Sequence, residues 1–220
     1  MSSPAPIFPD STVLLPAYYL PSAAYYATIM AYGHAVIDTS MRFDKRRKLN
    51  HRCTITDTQG ELTLTVPIEK PDSLTAARWS DVTISSHGEW WAVHSAALQS
   101  AYGRTPFYEF YIDRFAPYIS RDAAGRNLME HNVALTRTVL DVLGIDTEVM
   151  YGTPDFKTIG GVVDDFRFTG AEFISETPYY QIWGFKHGFR PGMSILDLIF
   201  NMGPESPAVL ARMNGMIKSY

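Results

Sequence analysis

The stretch TVLLPAYYLPSAAYYATIMAYGHAVID, residues 12–38, predicts the first unit of the fold. The short apolar run at its start is typical of a buried strand, and two prolines end that strand. Ser22 is a suitable N-cap for a helix over AAYYATIMAY, which we expect to end at Gly33. The run HAVID then predicts a second buried strand with Asp38 at its carboxyl end.

Two stretches after this unit predict a β-hairpin. RCTITD at 52–57 and ELTLTVPI at 61–68 each alternate apolar residues with threonine or other polar residues, as strands with one buried face do. The TQG between them ends in Gly60, which suits a turn position that needs positive φ. DVTI at 81–84 is a further strand candidate, so we expect a small sheet in the first half.

Three helices are predicted in the middle of the chain, each with its own start signal. These signals are an S-x-x-E capping box at 86–89, a Thr-Pro pair at 105–106, and Asn127 with Glu130. Gly144 closes the third helix. A small sheet with a hairpin, a helical middle and C-terminal helices indicate the α+β class.

The last third of the chain is less regular. Residues 145–150 predict a returning strand, whereas 151–193 combine weak periodicity with many glycine, proline and aromatic residues. Such a long stretch without clear elements indicates an ordered extension or a lid. Ser194 caps a further helix, and a last helix is expected over 206–219.

Composition excludes several classes of protein. The 220 residues are 46% apolar with a net charge of −4, which predicts a globular domain and argues against a nucleic-acid partner. Cys53 is the single cysteine, so an intrachain disulfide and a multi-cysteine zinc site are excluded. The sequence has no signal peptide and no apolar run of membrane-spanning length, so we expect a cytoplasmic protein.

Positive charge is concentrated in RFDKRRKLNHR, residues 42–52, which holds six of the nineteen lysines and arginines. A solvated surface loop is the ordinary explanation for such a cluster. This loop, however, follows a predicted buried strand and adds Asn50 and His51 to its cations, and it comes soon after Asp38. A phosphate or carboxylate ligand would satisfy several of these groups together. The substrate-binding candidates in the loop are Arg42, Lys45, Arg46, Asn50 and Arg52.

The candidates for acid–base chemistry are Asp38 and His94. His94 lies on the apolar stripe of the first middle helix, where a histidine bonded to a backbone carbonyl is the commoner arrangement. A catalytic His94 would need a partner such as Asp38, while Tyr102 would help to position an acceptor. Asn132 and Cys53 are both expected to have structural roles. No metal site or cofactor motif is indicated.

The residues from LLPAYYLPS to TVPI resemble the opening of the WbqC-like protein family. A strand, a proline-containing turn and a helix precede an Asp, a Lys-Arg pair and an Asn-x-Arg in that family. The matching positions here are Pro21, Asp38, Lys45, Arg46, Asn50, Arg52 and Thr65-Val66-Pro67. One departure is at Ala17 and Tyr18, where many members have polar side chains. If that segment supplies ligand contacts, we expect this protein either to bind differently or to have lost activity.

The resemblance implies a core over residues 1–150 and an extension with a loop or lid and two helices over 151–220. It also implies a role in O-antigen and other surface-polysaccharide biosynthesis. Our first hypothesis is a transferase acting on an anionic, phosphate-bearing substrate such as a nucleotide sugar or an acyl donor. The alternative is a non-catalytic binding or assembly protein, and a homo-oligomer is left open because aromatic residues are abundant.

Overall fold

The computed structural model describes residues 6–69, 71, 76–157, 159, 161–168 and 176–214, and its fold is of the predicted α+β class. The strands are β1 (Phe8–Pro16), β2 (Tyr32–Asp38), β3 (Arg52–Asp57), β4 (Gly60–Thr65), β5 (Ile68–Glu69), β6 (Thr83–Ile84), β7 (Glu148–Gly152) and β8 (Val162–Asp165). The helices are α1 (Ala23–Ala31), α2 (Trp90–Tyr102), α3 (Tyr108–Phe115), α4 (Leu128–Leu143), α5 (Gly184–His187), α6 (Ile195–Met202) and α7 (Ser206–Asn214).

The largest sheet has four parallel strands in the order β7-β2-β1-β8. The chain passes from β1 through α1 to β2, continues outward to β7, and then returns to the other side of β1 as β8. The direction of winding therefore reverses between β1 and β8. Open sheets with parallel strands place ligands at the carboxyl ends of the strands next to such a reversal.

Helix α1 is buried over its whole length, as its apolar composition requires. It packs against the sheet on one side and against α7 on another. Val13 and Leu15 of β1 and Ile195 and Leu210 of the last helices belong to one hydrophobic core. The predicted extension thus packs onto the predicted core, through β8 as well as through its helices.

The first unit differs in its bounds from the prediction. β1 begins at Phe8, several residues earlier than expected, and α1 ends at Ala31. Gly33 is a residue of β2 and not a helix cap. A Cβ at this position would lie 1.8 Å from the carbonyl oxygen of Pro9, so glycine is required for close contact between two backbones.

Several local predictions are confirmed. Asn127 caps α4, because its Oδ1 accepts hydrogen bonds from the backbone N–H groups of Met129 and Glu130. Gly144 ends that helix in the left-handed conformation with φ 60°, and Ser194 caps α6. The hairpin forms from β3 and β4, although β4 ends at Thr65 and the following residues pair with β6 as β5.

The start signals predicted for two helices are wrong, although one of these helices, α2, begins where it was expected. α2 begins at Trp90, and Glu89 precedes it with φ 44° and no side-chain cap, so the box of Ser86 and Glu89 does not form. Thr105 donates its hydroxyl to the carbonyl of Tyr102 at 2.7 Å. Thr105 therefore closes the end of α2 instead of opening α3.

The returning strand predicted at 145–150 is confirmed as β7, which begins at Glu148 and ends at Gly152. The stretch 151–193, predicted to lack clear elements, contains β8 and the short helix α5. β8 is only four residues long, so its sequence carries little strand pattern of its own. It is a strand because it pairs in parallel with β1. The last helix is described as far as Asn214, and residues 215–219 of the prediction lie outside the described part.

Candidate functional site at the carboxyl edge of the parallel sheet

The carboxyl ends of β1, β2 and β8 bring polar side chains together. Pro16 lies opposite Asp38 in the β1–β2 ladder, and Leu14 lies opposite Asp165 in the β1–β8 ladder. Arg167 follows two residues after the end of β8. These strand ends flank the point where the winding of the sheet reverses.

Arg167 joins two of these strand ends. Its Nη1 donates to Oδ2 of Asp38 at 2.7 Å, and its Nε and Nη2 donate to the two oxygens of Asp165 at 2.9 and 2.7 Å. Asp38 is buried, and its other oxygen accepts from the backbone and the hydroxyl of Ser40. Hydrogen bonding to Arg167 lowers the pKa of Asp165, and the same bond raises the pKa of Arg167. Both oxygens of the Asp38 carboxylate thus accept hydrogen bonds from other residues of the protein.

Arg47 connects the basic loop to this edge. Its Nη1 donates to the backbone carbonyl of Arg167 at 2.7 Å, and its guanidinium hydrogen bonds with the hydroxyl of Tyr18. Burial raises the pKa of Tyr18, and the charge of Arg47 opposes this rise. The guanidinium groups of Arg47 and Arg167 each lie 5.2 Å from the centre of the exposed Phe168 ring. Two cations and an exposed aromatic ring therefore meet at the reversal point.

Other cations of the loop point into solvent. Arg42, Lys45, Arg46 and Lys48 are exposed. Arg46 forms a two-pronged ion pair with Asp44, with its Nη2 2.8 Å from Oδ2. The loop therefore divides into an inward cation, Arg47, and a solvated rim, and only part of the predicted anion site converges.

Asn50 is a buried part of the same region. Its amide donates to the carbonyl of Ala17, just after β1, at 3.1 Å. The amide of Asn132 donates to that same carbonyl at 3.1 Å and to the carbonyl of Asn50 at 2.8 Å. These two amides hold the segment after β1 in place, and the Oδ1 atoms of both have no hydrogen-bond partner among the described residues. Leu20, at the end of that segment, has φ 42°, an unusual backbone conformation for a leucine.

Arg52 and Tyr102 do not join these contacts. Arg52 is half-buried at the start of β3, and within the described part of the chain its buried Nε has no hydrogen-bond partner. The hydroxyl of Tyr102 donates to Oδ2 of Asp197 at 3.0 Å. Asp197 also accepts from Tyr179 at 3.1 Å, and burial raises its pKa to about 6. Tyr102 thus belongs to a buried network that connects α2 to α6.

His94 is a buried histidine with both ring nitrogens engaged. Nδ1 lies 3.2 Å from the hydroxyl of Tyr19, and Nε2 lies 3.2 Å from the carbonyl oxygen of Thr65. Burial lowers the pKa of His94 to about 4, so the imidazole is neutral at pH 7. With both nitrogens occupied, His94 forms no hydrogen bond with Asp38.

Cys53 is not placed to act as a nucleophile, and the described residues offer no candidate metal cluster. Cys53 is buried, and burial raises the pKa of its thiol to about 12, so the thiolate needed for nucleophilic attack is not formed. Within the described ranges, no cluster of three or more His, Cys, Asp or Glu side chains is placed to hold a metal ion. None of the helices in the described part of the chain has the length and apolar character needed to cross a bilayer.

Sequence reasoning missed Arg167 and Tyr18 and did not distinguish Arg47 from its neighbours. Arg167 lies 129 positions from Asp38 in a stretch of weak periodicity, so no local signal connects the two. For Arg47 the available signal was its membership of the basic loop. The departure at Ala17 and Tyr18 also marked this segment, because Tyr18 contacts Arg47.

Comparison with known proteins agrees with the resemblance seen in the sequence. The model of the WbqC-like protein family matches residues 17–158, a range that includes the basic loop, Asp38 and His94. The chain is also 27% identical over 223 aligned positions to the uncharacterized protein Rv1507c of Mycobacterium tuberculosis, an alignment that covers 87% of this chain and 94% of that protein. No solved structure matches. The family match spans well over half of the chain, which therefore belongs to the WbqC-like protein family.

Proposed function

We propose that the carboxyl edge of the parallel sheet binds a phosphate-bearing activated substrate, such as a nucleotide sugar or an acyl donor. The protein would transfer a group from this substrate in surface-polysaccharide biosynthesis in the cytoplasm. The observation that carries the proposal is the contact of Arg47 with the end of β8, at the point where the winding of the sheet reverses.

The distribution of charge at this edge supports an anionic ligand. Arg167 is held by two carboxylates, so Arg47 is the inward cation whose charge is not already balanced by an ion pair among the described residues. Lys45, Arg46 and Lys48 form an exposed basic rim beside it. A diphosphate can contact Arg47 and this rim together, since guanidinium and ammonium groups both bind phosphate oxygens.

A thermal-shift titration of the full chain with nucleotide sugars and acyl-CoA tests the binding. We expect a ligand to raise the melting temperature of the wild-type protein, and Arg47→Ala to remove most of this shift. Arg46→Ala should weaken it less, because Arg46 is held by Asp44 on the solvent side. Arg104→Ala, at an exposed cation beyond α2, is the matched control and should leave the shift intact. If Arg47→Ala and Arg104→Ala respond alike, the proposed site is wrong.

A second candidate function is a non-catalytic binding or assembly protein for the same biosynthesis. It is favoured by the state of the two residues predicted to be catalytic. Asp38 forms an ion pair with Arg167. His94 is neutral, and both of its ring nitrogens form hydrogen bonds within the protein. Mass spectrometry of incubations with a bound donor distinguishes the two functions. Group transfer or donor hydrolysis that Arg47→Ala abolishes supports the enzyme, and ligand binding without any product supports the binding protein.

A further inference from the structure

The parallel sheet has a second face that carries a cavity of about 520 Å³. Val13 and Leu15 of β1 face the core beside α1. Because side chains alternate between the two faces along a strand, the preceding residue, Thr12, faces the opposite side of the sheet. Thr12 lies opposite His34 in the β1–β2 ladder, and His34 lies opposite Glu148 in the β2–β7 ladder. These three side chains form a row across three strands on the face away from α1, and all three line the cavity.

The cavity lies far along the strands from the carboxyl edge. Its lining residues Asp10, His34 and Glu148 come from the first half of their strands, whereas Asp38 and Gly152 end two of the same strands. A ligand here would therefore bind independently of the function proposed above. The volume is in the range of small-molecule sites.

Backbone features give the cavity its shape. Phe8 and Thr12 of β1 are four residues apart, but their partners in β2, Tyr32 and His34, are only two residues apart. β1 therefore bulges, and Asp10 lies in the bulge. Gly161 lies at the start of β8 with φ 78°, and a Cβ there would lie 2.1 Å from the carbonyl oxygen of Asp10. A residue with a side chain could not pass so close to β1. Together with Gly33 on the other side of β1, this glycine lets three chain segments meet tightly at the cavity.

The polar lining is acidic. Asp10 and Glu148 contribute two carboxylates, and the imidazole of His34 lies beside one of them, with Nδ1 3.2 Å from Oε2 of Glu148. No lysine or arginine is among the described residues that line the cavity. Met150 and Ile159 add apolar surface, and Met150 is 48% exposed. Carboxylates above an apolar wall match a small organic cation.

We propose that this cavity is a second binding site, which takes a primary ammonium group on a short apolar body. The ammonium donates hydrogen bonds to Glu148 and Asp10, and the apolar body covers Met150 and Ile159. Because His34 and Glu148 are 49% and 72% exposed in their side chains, solvent weakens the charge interaction. We therefore expect a dissociation constant on the order of 1 mM.

An NMR titration of the full chain tests the proposal. The probe is n-butylamine, which is protonated at neutral pH like a lysine side chain, and its neutral counterpart is 1-butanol. We expect saturable amide shifts at His34, Glu148 and Gly161 with the amine, and binding of the alcohol about tenfold weaker because it lacks the charge. Equal affinity for the two probes would mean that only the apolar wall binds, and this result would overturn the proposal.

Variants at the carboxylates complete the test. Glu148 and Asp10 are exposed residues, and Glu148→Gln and Asp10→Asn are conservative substitutions. Each variant should weaken binding of the amine about fivefold. Glu61→Gln is the matched control, an exposed carboxylate of the β3–β4 hairpin paired with Arg190, and it should bind as the wild-type protein does. The proposal is wrong if both cavity variants bind like the wild type, or if no saturable shift is seen at amine concentrations on the order of 50 mM. Neither result would affect the nucleotide and acyl-CoA titration at the other end of the sheet.

Discussion

The guanidinium of Arg167 donates a 2.7 Å hydrogen bond to the buried carboxylate of Asp38, across 129 positions of sequence. This contact ties the end of β2 to the segment after β8, on the two sides of β1. It is a link across β1 at the carboxyl edge of the sheet. Both oxygens of Asp38 thus accept hydrogen bonds within the protein, one from Arg167 and the other from Ser40.

Arg167→Leu should destabilise the protein by about 3–5 kcal/mol, because it leaves the carboxylate of Asp38 buried without a charged partner. Urea denaturation followed by circular dichroism measures this change. The double variant Asp38→Asn with Arg167→Leu should recover part of the loss. Arg46→Leu breaks an ion pair at the surface, so it serves as the control and should change little. A single variant Arg167→Leu as stable as the wild type would contradict the role of the ion pair.

Buried histidines should make the fold sensitive to acid. His131 stacks on Tyr19, and its ring nitrogens have no hydrogen-bond partner in the ranges that the structure describes. Burial lowers the pKa of His131 to about 4. The unfolded chain binds a proton near pH 6.5, so stability is full above that pH and is lost as the pH falls towards 4. His131→Phe should remove about 3 kcal/mol of this acid-induced loss.

The measurement for His131→Phe is urea denaturation at several pH values between 4 and 7.5. At neutral pH the variant should be about as stable as the wild type, because the two nitrogens make no hydrogen bond that phenylalanine would lose. His87→Gln, at an exposed histidine, is the control. Identical pH profiles for His131→Phe and the wild type would show that His131 is protonated without cost in the folded protein. His94 should contribute in the same direction.

Asp197 should act in the opposite sense. Burial raises its pKa to about 6, so the folded protein holds a proton that the unfolded chain releases near pH 4. Its contribution favours folding at the acidic end and is lost as the pH rises through 6, by about 3 kcal/mol in total. Asp197→Asn keeps groups that can bond to Tyr102 and Tyr179 and should remove this loss, which the same pH series would detect. A steeper loss of stability in Asp197→Asn between pH 4 and 6 would refute the assignment.

Glu89 gives a test that separates sequence pattern from structure. The S-x-x-E pattern predicts a capping box, in which case replacing Glu89 would destabilise α2. The structure instead has Glu89 exposed at φ 44° with no side-chain cap, a conformation that asparagine adopts more readily. Glu89→Asn should therefore stabilise the protein by about 0.5–1 kcal/mol, measured by thermal or urea denaturation. Glu89→Val should destabilise it, and a loss of stability in both variants would favour the capping box.

Local patterns in the sequence determined much of the secondary structure. Alternation predicted the hairpin of β3 and β4, and the cap at Asn127 and the glycine at 144 marked the ends of α4. These signals work because each depends on contacts within a few residues. The strand–helix–strand reading of residues 12–38 was right for the same reason, although Gly33 was misread because its close neighbour, Pro9, belongs to another strand.

Tertiary structure alone decided the site. The sequence determined that positive charge is concentrated in residues 42–52. It did not predict which of these side chains turn towards the sheet and which turn towards solvent. Arg46 turns out to Asp44, whereas Arg47 turns in to the end of β8, because the parallel sheet brings β8 beside β1. Such a pairing depends on strands far apart in the chain, and their order is set by the packing of the whole core.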